Sequence, residues 1–309
     1  MSPATLRDRA EYLAVRAGAA ELLKLPPAAA ARVMEALGGL AFHVLRRRTR
    51  IGRENLRAAF PQKAPEEIEE LLSEVYRNLF RLAGEIFYMR RLLRESNWRR
   101  FITVENGERA LEVTVAGRGG ILVSGHLGNW ELLGQALPYI GLPPRSLARP
   151  LDNPLLERYI LGLRQSGEQR IILKAGAGAE IERILEGGGF VSLLVDQDAG
   201  HKGAFVPFMG RLASTWRTPA ILSQRTGAPI LPGCCVREGR RLRFRVLVGR
   251  PIRPRAGADP GEETLRITGE FTAQLEEWVR AHPEQYLWLH RRWKSRPGER
   301  ALVWAGCSA

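Results

Sequence analysis

Two residues five positions apart, His126 and Glu131, are of types that could do chemistry together. A carboxylate beside an imidazole holds one ring nitrogen in its protonated tautomer and stabilises the imidazolium. The other nitrogen can then take a proton from an alcohol, a general-base step worth about 10² to 10⁴ in rate. On a continuous helix this spacing turns the side chains about 140° apart, and they could not meet. The neighbouring residues predict a different geometry. Gly117, Gly119 and Gly120 precede Ile121-Leu122-Val123-Ser124-Gly125, a short buried-strand pattern. Gly128 permits a tight turn, and Asn129 is a good helix N-cap. Glu131 then falls in a first helical turn and His126 in the loop before it, so the carboxylate is expected to reach back to the imidazole. A substrate hydroxyl that attacks directly needs no Ser or Cys nucleophile.

The elements that must position this pair are legible as a change of pattern. Residues 1 to about 100 read as helical, with Leu71, Leu72, Val75, Leu79, Leu82, Ile86 and Phe87 on one side of a strong segment from Pro65 to Phe87. From Phe101 onward short strands and helices alternate. Ile171 to Leu173 and Phe190 to Val195 read as strands, and Leu155 to Leu163 and Ala179 to Leu185 as helices. Such alternation suggests a sheet covered by helices. Pro229 to Val236 and Leu242 to Val248 flank a hairpin turn at Arg237-Glu238-Gly239-Arg240. Pro251 to Pro260 reads as a linker, and Glu263 to Ala281 as a helix. There is no GxSxG elbow, HExxH pair or Walker loop. Gly176-Ala-Gly178 lacks the full dinucleotide fingerprint and reads as the entry to a helix.

The 309 residues carry a net charge of +14, mostly as Arg, with a sequence pI of about 10.6. That balance calls for an anionic partner: nucleic acid, anionic lipid or an acidic protein. Dispersed Arg without a recognised binding motif argues against nucleic acid, although Trp288 and Trp293 interleaved with His290, Arg291, Arg292 and Lys294 could stack on bases. Cys234, Cys235 and Cys307 suggest neither a disulfide framework nor a metal site. They fit a reducing cytosolic location or a cytosolic membrane face. Ala28 to Leu45 is the most membrane-like stretch, but Arg32, Glu35 and His43 make it a poor spanning helix. Val33, Met34, Leu37, Leu40, Ala41, Val44 and Leu45 follow the spacing of one helical face, and Arg46, Arg47, Arg48, Arg50 and Arg53 come after it. This suits either a helix lying in an anionic membrane interface or a core-facing helix with a basic end.

Ser124-Gly-His-Leu-Gly-Asn-Trp-Glu131 resembles the active-site motif of the late acyltransferases of lipid A biosynthesis, within the lysophospholipid acyltransferase group whose motif is HxxxxD or HxxxxE. Arg149-Pro-Leu-Asp-Asn-Pro-Leu-Leu-Glu157 is similar to that family's second block. Val195-Asp-Gln197 with Phe205-Val-Pro-Phe-Met-Gly210 is similar to the third, and Tyr286-Leu-Trp-Leu-His-Arg-Arg-Trp-Lys294 to the C-terminal signature. Asn55-Leu56 and Phe60-Pro61 match the N-terminal region.

The resemblance implies an α/β fold with a central, mostly parallel mixed sheet flanked by helices, as in glycerol-3-phosphate acyltransferases. A helical N-terminal region (1–100) with a membrane-associating helix near 28–50 would precede a catalytic domain (101–297) and a C-terminal tail (298–309). It implies transfer of an acyl chain from acyl carrier protein, or acyl-CoA, to a hydroxyl of a phosphorylated lipid A precursor. The reaction would occur at the cytoplasmic face of the bacterial inner membrane, with neither cofactor nor metal. His126 would be the base and Glu131 its orienting partner, with Arg149, Asn153, Arg164 and Asp196 binding substrate. Alternatives are another acceptor, such as phosphatidylinositol mannoside or a lysophospholipid, or a non-catalytic membrane scaffold.

Overall fold

The computed structural model describes residues 4–148, 150–165, 170–173, 177–239, 241–299 and 301–304. Four helices come first: α1 (Leu6–Leu22), α2 (Pro27–Val44), α3 (Arg46–Ala59) and α4 (Pro65–Leu92). Then follow β1 (Ile102–Glu105), α5 (Gly107–Val115), β2 (Gly120–Ser124), α6 (Trp130–Ala136), β3 (Pro144–Ala148), α7 (Pro154–Arg164), β4 (Arg170–Leu173), α8 (Gly178–Glu186) and β5 (Phe190–Leu194). The chain ends with β6 (Ala204–Phe208), β7 (Arg211–Thr215), α9 (Thr218–Thr226), β8 (Ile230–Arg237), β9 (Phe244–Val248), α10 (Pro260–Ala281) and β10 (Leu302–Val303).

The main sheet has seven strands in the order β1-β9-β8-β2-β5-β3-β4, and only the β8–β9 pair is antiparallel. Strand β2 lies at its centre with every residue buried, which is why it reads as an unbroken apolar run. Successive side chains point to opposite faces. Leu122 packs with α5 and α6, while Ile121 and Val123 pack with α8, α9 and α10. The sequence places a helix entry at Gly176-Ala-Gly178; Gly176 lies outside the described residues, and α8 begins at Gly178. A smaller sheet, β10-β6-β7, joins residues 302–303 to Ala204 and Phe205.

The N-terminal helices carry a correction. Ala28 to Leu45 and the arginines after it do not form one helix: α2 stops at Val44, and α3 leaves at 90°. No single helix among the described residues is long and apolar enough to cross a membrane. Three small residues of α2 face inward. Ala30, Gly38 and Ala41 are buried, and a Cβ on Gly38 would stand 2.7 Å from the Tyr76 carbonyl oxygen of α4. Of the large apolar residues, Val33, Leu37, Leu40 and Val44 are 43–64% exposed.

Candidate active site

The register of two parallel strands builds the centre of the site. Ser124, the last residue of β2, is paired with Leu194, the last of β5. The ladder continues one step, with the Val195 amide donating to the Ser124 carbonyl at 2.9 Å. The next residues out are His126 and Asp196, which therefore emerge side by side at the carboxyl ends of adjacent strands. This is where open α/β sheets bind ligands. Asp196 Oδ1 lies 2.8 Å from His126 Nδ1, and its Oδ2 accepts the His126 backbone amide at 2.7 Å. Glycine at 125 permits this approach: a Cβ there would sit 3.1 Å from Asp196 Oδ2.

The turn after His126 is clamped from both sides. The Leu287 amide donates to the His126 carbonyl at 3.0 Å, and the Gly128 amide to the Gln285 carbonyl at 3.0 Å. The Asn129 amide donates to the Cys235 carbonyl of β8 at 2.6 Å. Gly128 has φ +61°, and a Cβ there would collide with that carbonyl, so both the turn and the contact require glycine. Asn129 caps α6 as its type predicts, accepting the Leu132 amide at 2.8 Å.

Charge is arranged around the imidazole. Burial opposes charging the ring. The charge and hydrogen bond of Asp196 together outweigh it, with a smaller contribution from Glu131, and raise the His126 pKa above its ordinary value. For Asp196, burial favours protonation, but His126 and then Arg292 hold the carboxyl below its usual range. Arg292 is buried and donates to the Ser214 carbonyl at 2.6 Å and to Thr215 Oγ1 at 2.7 Å. Burial and the charge of Asp196 push the Tyr286 phenol well up, so it stays protonated. The segment 286–292 thus packs behind the site, with Trp288 buried and donating to the Pro283 carbonyl at 2.8 Å. Asn55 fixes that segment by donating to the carbonyls of Trp288 (2.7 Å) and His290 (2.6 Å).

Glu131 does not orient His126. It sits in the first turn of α6, as expected, but forms a bidentate pair with Arg164 of α7 at 2.5 and 2.8 Å. The Nδ1 position already belongs to Asp196, because strand register outranks nearness in sequence. Asn153 is likewise engaged in structure. It caps α7 by accepting the Leu155 and Leu156 amides at 3.0 and 3.2 Å, and it donates to the Asp8 carbonyl of α1 at 3.0 Å. Arg149 lies outside the described residues.

Sequence reasoning missed one buried pair next to the loop. The sequence pattern puts Arg237 in a hairpin turn; it is instead the last residue of β8 and is buried. It donates through two nitrogens to Glu85 of α4, each at 2.6 Å. Glu85 also accepts from Asn129 Nδ2 at 2.8 Å, which ties α4 to the cap of α6. A lone Glu inside the apolar face of a long helix was the signal available.

Residues 5–295 match the family described as bacterial lipid A biosynthesis acyltransferase. The chain is 31% identical over 275 residues to the lipid A biosynthesis palmitoleoyltransferase of Escherichia coli, covering 86% of this chain and 85% of that one. It is 28% identical over 182 residues to the phosphatidylinositol mannoside acyltransferase of Mycobacterium tuberculosis, covering 58% and 55%. Among solved structures it is similar to the 1-acyl-sn-glycerophosphate acyltransferase of Thermotoga maritima, with a TM-score of 0.39, 17% identity, and 81% and 98% of the chains covered.

Proposed function

The chain belongs to the bacterial lipid A biosynthesis acyltransferases, and we propose that it transfers an acyl chain from an acyl carrier protein thioester to a hydroxyl of a lipid A precursor at His126. The observation that carries the chemistry is the engagement of His126 Nδ1 by Asp196. An Nδ1–H donated to the carboxylate leaves Nε2 with its lone pair. Nε2 takes the proton as the acceptor hydroxyl oxygen attacks the thioester carbonyl. The tetrahedral intermediate then expels the thiolate, which recovers the proton from Nε2. Asp196 stabilises the imidazolium that exists between the two transfers, as in hydrolase triads. Glu131 and Arg164 act as a pair that positions substrate, and Arg149 is a further substrate-positioning cation in this reading.

Two features support the partners. An Arg-rich chain of net charge +14 suits an acidic carrier protein and a phosphorylated acceptor. The outward stripe Val33, Leu37, Leu40 and Val44, with Arg46, Arg47 and Arg50 on the next helix, suits a chain lying on an anionic membrane surface. We place it at the cytoplasmic face of the inner membrane.

The test is an assay in mild detergent with a phosphorylated tetra-acyl lipid A precursor and a panel of acyl carrier protein thioesters, read by product mass. A single acyl gain that His126→Ala loses supports reaction, donor and base together. No gain with any donor overturns the lipid A reading, and phosphatidylinositol mannoside is then the acceptor to try. A gain that survives in the variant removes His126 from its role.

A further inference from the structure

A cavity lined in part by the Glu85–Arg237 pair lies between α2, α4 and the β8–β9 turn. Its volume is about 350 Å³, within the range of small-molecule sites. One wall is apolar, formed by Ala28, Ala31 and Met34 of α2 with Phe101 and Leu242. The other is cationic. Of its arginines, Arg237 is matched by Glu85, and Arg81 pairs with Glu35. Arg100, Arg241 and Arg243 also line it, and none of the three has a carboxylate partner among the described residues. The cavity therefore presents cationic groups without a counter-charge from the described residues. Guanidinium groups with an apolar wall match an anion that carries a hydrocarbon chain.

We propose that this cavity is a binding site for the phosphomonoester headgroup of a lipid: Arg100, Arg241 and Arg243 hold the phosphate, and the alkyl chain lies along Ala31 and Met34. The site is separate from His126 and does not depend on which acceptor is acylated there. Helix α2 carries both the apolar wall and, on its outward face, the stripe proposed to meet the membrane, so a lipid at the surface is the natural source.

Calorimetry in non-ionic detergent tests this with three probes: hexyl phosphate, inorganic phosphate and 1-hexanol. Wild-type protein and His126→Ala are expected to bind hexyl phosphate at least about tenfold more tightly than either of the other probes. Arg241→Gln/Arg243→Gln changes exposed side chains and leaves the fold intact; it is expected to weaken hexyl phosphate binding by about tenfold or more. Ala31→Phe fills the apolar wall and is expected to remove the advantage of hexyl phosphate over inorganic phosphate. Equal binding of inorganic phosphate makes this a site for a soluble anion and overturns the lipid headgroup. Equal binding of hexanol, unchanged binding in the double variant, or no binding of hexyl phosphate overturns the site itself.

Discussion

Two carboxylates lie near the loop that carries His126, and they are built into the protein differently. Asp196 stands at the end of β5, held by a parallel ladder to β2 whose register brings it to the imidazole. Glu131 stands in the first turn of a short helix and faces α7, where Arg164 takes both of its oxygens. Asp196 is 70 residues from His126 in sequence and Glu131 only five, yet the distant one makes the contact. Backbone hydrogen bonds on both sides of a central strand leave little freedom at the strand end. A helix start linked by a glycine turn can rotate its side chains toward another partner.

Substitutions can break or sharpen that contrast. The largest effect is expected from Asp196→Asn, which keeps the shape and removes the charge: kcat falls by about 10² to 10⁴. The pH profile gives a second readout. Asp196 raises the His126 pKa, and a base works in its neutral form, so activity rises as pH climbs through that raised value. Removing the charge lowers the His126 pKa and moves this acid limb to lower pH. An unmoved limb in a pH–rate profile would sink the dyad.

Glu131→Gln is expected to act mainly on KM, by roughly tenfold through loss of the charged pair with Arg164, and to move the limb less. Steady-state kinetics in which this variant matches Asp196→Asn in kcat would return Glu131 to the base. Leu37→Glu with Leu40→Glu tests whether the outward face of α2 differs from its inward one. Vesicle binding should fall about tenfold or more, while Tm changes by only a few degrees because neither side chain is buried. Unchanged co-sedimentation with anionic vesicles would remove the membrane contact. Asn153→Ala should lose about 1 kcal/mol of stability as a lost cap, with kcat near wild type; a large fall in kcat would give Asn153 a substrate role.

Much of this architecture could be read locally. Pro65 opens α4 as its apolar spacing predicts, whereas α10 begins at Pro260, capped by Asp259, inside the stretch that reads as a linker. The apolar runs at 121–125 and 190–195 are the two strands that frame the site. Other features could not be read this way. Helix α2 is apolar on both sides, so periodicity found the helix but not which face meets α4; the close fit of Gly38 against the Tyr76 carbonyl decided that. Arg237 looks like turn residue because its partner, Glu85, comes from a helix 152 residues away.

The sequence by itself determined what depends on a few neighbouring residues. Gly128 must be glycine in a left-handed turn, Asn129 must cap α6, and together they lift His126 out of the strand into a loop. The tertiary structure alone decided which carboxylate that histidine meets. Turn and cap energies come from atoms within one helical turn, whereas the partner follows from which strand lies beside β2 and in what register, and those pairings exist only once the whole sheet has formed.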